Sequence, residues 1–349
     1  MKNSPSSPQL ASRRRLLAWA GALLSGTAVQ AQQTPLTKIR FTLDWRIDGP
    51  GAIVLLTAAK GYFRQEGLDV TVDMGAGSAA SIQRIAAGTH DVGFADTSAL
   101  IEFLAGNAAA PRIQAVYMLM EATPATVFAF KRSGILQPAD LQGRNLGGPV
   151  FDAGRKAFPI FAKANRFDAT KARWTNADPA IRETLLIKGD VDAITGFYYT
   201  GLLNLEARGV KASELSIFKY AEHGVGLYGN AVVVSPQLAA EKPAAVAAFV
   251  RALTRGIKEV LSDPHGAIAY VKQRDSLLDA AVEERRLRLF LDNFVATPTV
   301  RRAGIGGVDF ARLRANIAQV EAAFGLRQSV DAEQLFNAGF LPTPAERRL

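Results

Sequence analysis

From Lys38 onward the chain repeats one unit: a short run suited to a strand, a glycine-marked loop, then a helical face of small apolar residues. Lys38-Ile39-Arg40-Phe41-Thr42-Leu43 alternates polar and apolar before Asp44-Trp45 and the turn Gly49-Pro50-Gly51. Ala52 to Ala59 reads as a helix, Gly61 closes it, and Leu68-Asp69-Val70-Thr71-Val72 reads as the next strand. The unit recurs through Gly75-Ala76-Gly77-Ser78, a helix to Ala87 and the strand Asp91-Val92-Gly93-Phe94-Ala95. Strands alternating with helices predict a mainly parallel sheet, because a helical crossover is what returns the chain to the same edge. The expected class is therefore α/β.

Ile113 to Met120 and Thr126 to Phe130 read as further strands, and the shift in composition at Lys131-Arg132-Ser133-Gly134 marks a passage into a second unit. There Arg144 to Gly147, Val191 to Thr195 and Ser216 to Tyr220 suit strands. Helices are expected from Phe151 to Asn165, Pro179 to Ile187 and Thr200 to Arg208. The β-branched run Ala231-Val232-Val233-Val234 implies a return to the first unit near Glu222 to Gly226. Helical spacing then dominates Pro243 to Leu261, Ala267 to Arg274, Asp279 to Val295 and Asp309 to Phe324. A chain this long exceeds the size at which one core keeps growing. Two lobes are expected, one from residues 36–130 plus 225–345 and the other from residues 131–224.

The N-terminus carries Lys2 and Arg13-Arg14-Arg15, an apolar run from Leu16 to Leu24, then Val29-Gln30-Ala31. That order is a secretory signal, with cleavage expected after Ala31, and Ser12 to Leu17 also resembles a twin-arginine export signal. The run is too short to span a membrane. With no cysteine, the chain has no disulfide, thiolate ligand, catalytic thiol or lipid-bearing residue. Removing residues 1–31 lowers the formal charge from +9 to +5. The basic residues are scattered, so no nucleic-acid partner is expected. His90, His223 and His265 stand apart, with neither a Gly-x-Ser-x-Gly elbow nor a His-Glu-x-x-His pair, and no metal, cofactor or catalytic residue is expected.

In open α/β sheets ligands collect beyond the carboxyl ends of strands, where loops converge and helix N-termini point free N–H groups into the crevice. Four segments meet that description: Asp44 to Gly51, Gly75 to Ser81, Asp96 to Ser98 and Gly148 to Arg155. Gly77 and Ser78 suit either gripping a ligand oxygen or capping a helix. Trp45 suits stacking on a flat ring or packing in a core. Asp44, Asp48, Asp96 and Asp152 suit pairing with ligand amino groups or capping. Arg155 is the first candidate cation at the crevice and Arg46 the next. Phe197-Tyr198-Tyr199 follow a strand at the mouth of the second lobe, while Tyr228 and Asn230 flank Gly229 near the crossing and suit ligand contact or hinge packing.

Leu43-Asp44-Trp45, Lys60-Gly61-Tyr62-Phe63, Glu66-Gly67-Leu68-Asp69-Val70 and Gly189-Asp190-Val191-Asp192-Ala193 resemble the solute-binding components of nitrate, sulfonate and thiamine-precursor ABC importers, over Ile39 to Leu326. The resemblance implies a two-lobed periplasmic binding protein fold of type II with its ligand cleft between the lobes. It also implies a periplasmic monomer without catalytic activity. Its partners would be a small planar or anionic ligand and an inner-membrane ABC permease with a cytoplasmic ATPase. Asp44 and Trp45, the Gly77-Ser78 loop and the Asp96-Thr97-Ser98 loop carry over as first-lobe contacts; the Phe151-Asp152 and Gly196 to Tyr199 loops occupy the second-lobe places. The Leu-Asp-Trp opening is similar to the pyrimidine-precursor branch, which continues with a Pro-Asn pair and a His where this chain has Ile47, Asp48 and Gly51. An aminopyrimidine would favour the carboxylates and Trp45, an aromatic carboxylate or sulfonate Gly77-Ser78 and Arg155. The alternative is an enzyme of the pyrimidine-precursor synthase type.

Overall fold

Alternation in the first strand becomes a pleat: in β1 (Thr37–Thr42) Ile39 and Phe41 are buried while Lys38 and Arg40 face solvent. The computed structural model describes residues 35–106, 109 and 111–349. The export signal and its cleavage point after Ala31 lie outside the described residues. β2 (Leu68–Asp73), β3 (Val92–Asp96), β4 (Gln114–Met118) and β10 (Asn230–Val234) complete a first sheet in the order β2-β1-β3-β10-β4. β5 (Ala125–Phe130), β6 (Asn145–Gly148), β7 (Arg173–Asn176), β8 (Ala193–Phe197) and β9 (Leu215–Lys219) form a second, in the order β7-β6-β8-β5-β9.

The two sheets share a design. β1 runs parallel to β2 and β3, and β10 lies antiparallel between β3 and β4. β6 runs parallel to β7 and β8, and β5 lies antiparallel between β8 and β9. Each sheet is thus mainly parallel, with one reversed strand in its interior. Both reversed strands are buried along their whole length, as apolar runs covered on both faces must be.

One expected boundary is corrected. Ala125–Phe130 was expected in the first lobe, but Val127 pairs with Thr195 of β8 and Phe218 of β9, so the passage between sheets falls at residues 119–124. A strand apolar on both faces carries nothing in its composition to say which sheet it joins. The Lys131–Ser133 segment is a 3-10 turn that follows this strand.

The helix Pro243–Ser262 covers the first sheet. Val246, Phe249, Val250, Leu253, Ile257 and Val260 lie on one buried stripe. The Phe249 ring stacks on Phe41 and Phe63 at centroid distances of 5.7 and 4.9 Å. At Gly256 this helix meets the helix Ala52–Ala59 so closely that a Cβ would lie 1.8 Å from Thr57 Oγ1. A second core continues from sheet to sheet through Met118, Ala125, Val127, Phe158, Tyr220 and Leu227. No helix among the described residues is long and apolar enough to cross a membrane.

Candidate functional site

The parallel strands of both sheets end toward one cleft, because strands running the same way deliver their following loops to the same side. Asp44, Trp45 and Asp48 reach it after β1, Gly77 and Ser78 after β2, and Asp96 and Ser98 at the end of β3. From the second sheet come Phe151 and Asp152 after β6, and Phe197 and Tyr199 around the end of β8. The cleft holds about 1140 Å³ of atom-free space, its open mouth included.

Its first-lobe wall is built of carboxylates. Asn230 Nδ2 donates to Asp44 Oδ2 at 2.5 Å. Burial pushes the Asp44 carboxyl up, and the Asn230 hydrogen bond opposes that shift. The Ser98 and Ala99 N–H groups donate to Asp96 Oδ1 at 2.9 and 3.4 Å. Burial nonetheless pushes Asp96 up to about 6, against these N–H bonds and with a smaller push from Asp44. Asp48 caps the Gly49–Gly51 turn by accepting from Gly51 N. Its surroundings push it up to about 7: burial is the largest cause, Glu283 and Asp44 add to it, and Arg286 opposes it. Asn230 Oδ1 is buried without a partner among the described residues. The wall therefore offers carboxyl and amide oxygens as acceptors for N–H donors, and it repels anions as its carboxyls ionise.

A buried ion pair ties this wall to the second lobe. Glu283 Oε2 accepts from Gly49 N at 2.7 Å and Arg286 Nε at 3.0 Å, while Arg286 Nη1 donates to Tyr199 O at 3.1 Å. Across the mouth, Lys156 Nζ of the helix Ala153–Ala164 meets Glu102 Oε2 of the helix Thr97–Gly106 at 2.5 Å. Asp152 caps its helix by accepting from Arg155 N at 2.8 Å, and its other oxygen lies 3.9 Å from Arg182 Nη1. The rings of Trp45, Phe94, Phe197, Tyr199 and Phe290 supply flat apolar surface.

Of the residues singled out in the sequence, Asp44, Trp45, Asp48, Gly77, Ser78, Asp96, Ser98, Asp152, Phe197 and Asn230 meet at the cleft, as does Arg46. Gly77 has φ +111°, which favours glycine, and a Cβ there would lie 3.3 Å from the Phe151 ring, a tight contact that the ring would have to yield to. Ser78 Oγ accepts from Asp96 N at 3.0 Å and joins two of the loops.

Four expected residues do not line the cleft. Thr97 Oγ1 donates to Gly229 O at 2.7 Å. Arg155 Nη1 donates to Gly148 O at 2.8 Å and its guanidinium stacks on Trp174. Tyr198 lies under Lys219 Nζ, 4.2 Å from its ring centroid. Tyr228 OH accepts from Asp309 N, and Arg312 covers its ring, which is hinge packing. Tyr198 is displaced because the helix Tyr198–Glu206 begins two residues before the expected Thr200.

Arg182, Glu102 and Lys156 were missed. Arg182-Glu183 at the start of the helix Arg182–Lys188 reads as a solvated pair of opposite charges, and only the fold shows both side chains buried. Among the described residues no three acids or histidines are grouped to hold a metal ion.

The NMT1/THI5-like family model matches residues 51–267. The riboflavin-binding protein RibY of Chloroflexus aurantiacus is 26% identical over 328 residues, 93% of this chain and 91% of that protein. A formylaminopyrimidine-binding protein of Halalkalibacterium halodurans is 24% identical over 319 residues, 89% and 93% of the two chains. A 4-amino-5-hydroxymethyl-2-methylpyrimidine phosphate synthase of Legionella pneumophila is more distant, 21% identical over 231 residues, 66% of this chain and 72% of that one. Among solved structures, the aliphatic sulphonate binding protein SsuA of Escherichia coli superposes with a TM-score of 0.68 at 14% identity, over 85% of this chain and 91% of that one. At that identity the likeness shows the fold alone, the two-lobed fold of periplasmic binding proteins. The chain belongs to the NMT1/THI5-like family.

Proposed function

We propose that this chain is the periplasmic solute-binding component of an ABC importer. It closes its two lobes on a planar heterocycle that carries N–H donors, and passes the ligand to an inner-membrane permease driven by a cytoplasmic ATPase. The observation that carries this reading is the wall of Asp44, Asp48 and Asp96 set among aromatic rings in an interlobe cleft. A donor-bearing ring satisfies these buried acceptors, while stacking and area burial supply the bulk of the affinity. Two relatives that cover nearly the whole chain are named for binding riboflavin and a formylaminopyrimidine, both planar nitrogen heterocycles.

An aromatic carboxylate or sulfonate fits less well. Lys156 and Arg182, two cations at the cleft, are already paired with Glu102 and Glu183. A further anion would face three carboxylates, with Arg46 as the cation opposing them at the exposed rim of the cleft. The synthase reading needs a nucleophile or base beside the substrate, whereas Asp96 and Asp152 are engaged by backbone N–H groups and Asp44 by Asn230.

Thermal unfolding and calorimetric titration with riboflavin, a formylaminopyrimidine and an alkanesulfonate test the reading. A heterocycle at a hundred times its Kd should add about 2.7 kcal/mol of stability with no turnover. Stabilisation by the sulfonate alone would exclude a donor-bearing ligand. Release of a product would move the protein to the synthase class.

A further inference from the structure

The second-lobe side of the cleft contains a group that the carboxylate wall does not explain. Arg182 is 6% exposed and lines the cleft, yet its guanidinium makes one hydrogen bond, from Nη2 to Glu183 Oε1 at 2.6 Å. Among the described residues Nε is buried without a partner, and so is Oε2 of Glu183. Nη1 hydrogen-bonds none of the described residues; Asp152 Oδ2 lies 3.9 Å away. The placement is built rather than incidental. A Cβ on Gly196 would lie 2.7 Å from Nη1, so the absence of a side chain there lets the guanidinium rest on the backbone at the end of β8, beside Phe197. Burying Nε unpaired is costly, and Nη1, bonded to none of the described residues, is the donor that a cleft ligand can still satisfy.

We propose that Arg182 is the second-lobe anchor of the ligand, donating from Nη1 to a neutral carbonyl on the ring edge opposite the one that Asp44 and Asn230 take. This deepens the solute-binding reading above and rests on it. The carbonyl is uncharged because Glu183, fully buried, already balances the guanidinium, and Asp152 stands close by. A carboxylate or sulfonate would leave the cluster with excess negative charge in a poorly solvated place. The ligand class that results is a planar lactam or imide ring: N–H donors toward the first lobe, C=O toward the second. Such a molecule touches a polar anchor in each lobe, so it favours the closed form over the open one.

The test pairs two probes that differ in this edge. Riboflavin carries ring carbonyls beside an N–H; 4-amino-2-methylpyrimidine carries an amino group and no carbonyl. Calorimetric titration of wild-type protein and of Arg182→Gln should show riboflavin binding weakened at least about tenfold, with any binding of the pyrimidine changed less than about twofold. Equal losses for both probes, or no loss for riboflavin, overturn the proposal. Binding of the pyrimidine alone by wild-type protein also overturns it while leaving the solute-binding reading intact; binding of neither probe, nor of a formylaminopyrimidine, overturns both. Should Arg182→Gln fail to fold, a crystal structure of the wild-type complex with riboflavin decides, since a ring carbonyl must lie within hydrogen-bonding distance of Arg182 Nη1.

Discussion

Asp48 sits where burial, reinforced by Glu283 and Asp44, disfavours its anion and Arg286 favours it. With Asp48 near 7 and Asp96 near 6, both carboxyls keep a proton in the folded chain at pH values where the unfolded chain, with an aspartate pKa of about 3.9, has lost it. Below about pH 4 the two states are alike. As pH rises toward about 7 the folded state must ionise buried acids, so this contribution to stability is lost. Melting curves of ligand-free protein should show stability falling from about pH 5 to about pH 7.5, and Asp48→Asn should flatten that fall. Equal slopes in variant and wild type would remove Asp48 from this role. Residues such as Asp44, Asp48 and Asp96 were legible because they follow strands, a position that topology turns into a cleft. Tyr199 and Tyr198 were not separable: consecutive helical residues point about 100° apart, and only the observed helix start sends Tyr199 to the cleft and Tyr198 under Lys219.

At the scale of elements, spacing revealed the helices and most strands but not their partners. The Ala231 to Val234 run announced a strand, and so did Thr126 to Phe130, yet hydrogen bonding alone placed the latter in the second sheet. The Phe290 wall was hidden for a related reason. An aromatic at helical spacing reads as core, and Phe290 is indeed fully buried while still forming part of the cleft lining. Helix contact makes a sharper prediction. Thr57 is fully buried and its hydroxyl donates to Ile53 O, so it has little freedom to retreat from a methyl group at residue 256. Gly256→Ala should lower stability by about 1–3 kcal/mol despite alanine's better helix propensity, as measured by urea unfolding. A neutral or stabilising result would mean that the two helices separate more easily than their packing implies.

For the molecule as a whole, Lys156–Glu102 joins the lobes across the mouth of the cleft, and Arg285–Glu206 joins them elsewhere. About a third of each side chain of the first pair is exposed, so solvent screening limits its worth to roughly 1 kcal/mol or less. Lys156→Met should weaken ligand binding by no more than about fivefold, mainly through faster dissociation, seen by stopped-flow fluorescence. A loss of a hundredfold would instead make Lys156 a direct ligand contact. The crossings themselves have another property. One enters β5 and the other enters β10, the reversed strands, and each of these is flanked on both sides by neighbours. Each tether thus joins a border strand of one sheet, β4 or β9, to an interior strand of the other, so tension is shared by two ladders of hydrogen bonds at the interior end and carried by a single ladder at the border end. Swinging of the halves is confined to the short links, and the β5 and β10 amides should be among the last in the protein to exchange with deuterium.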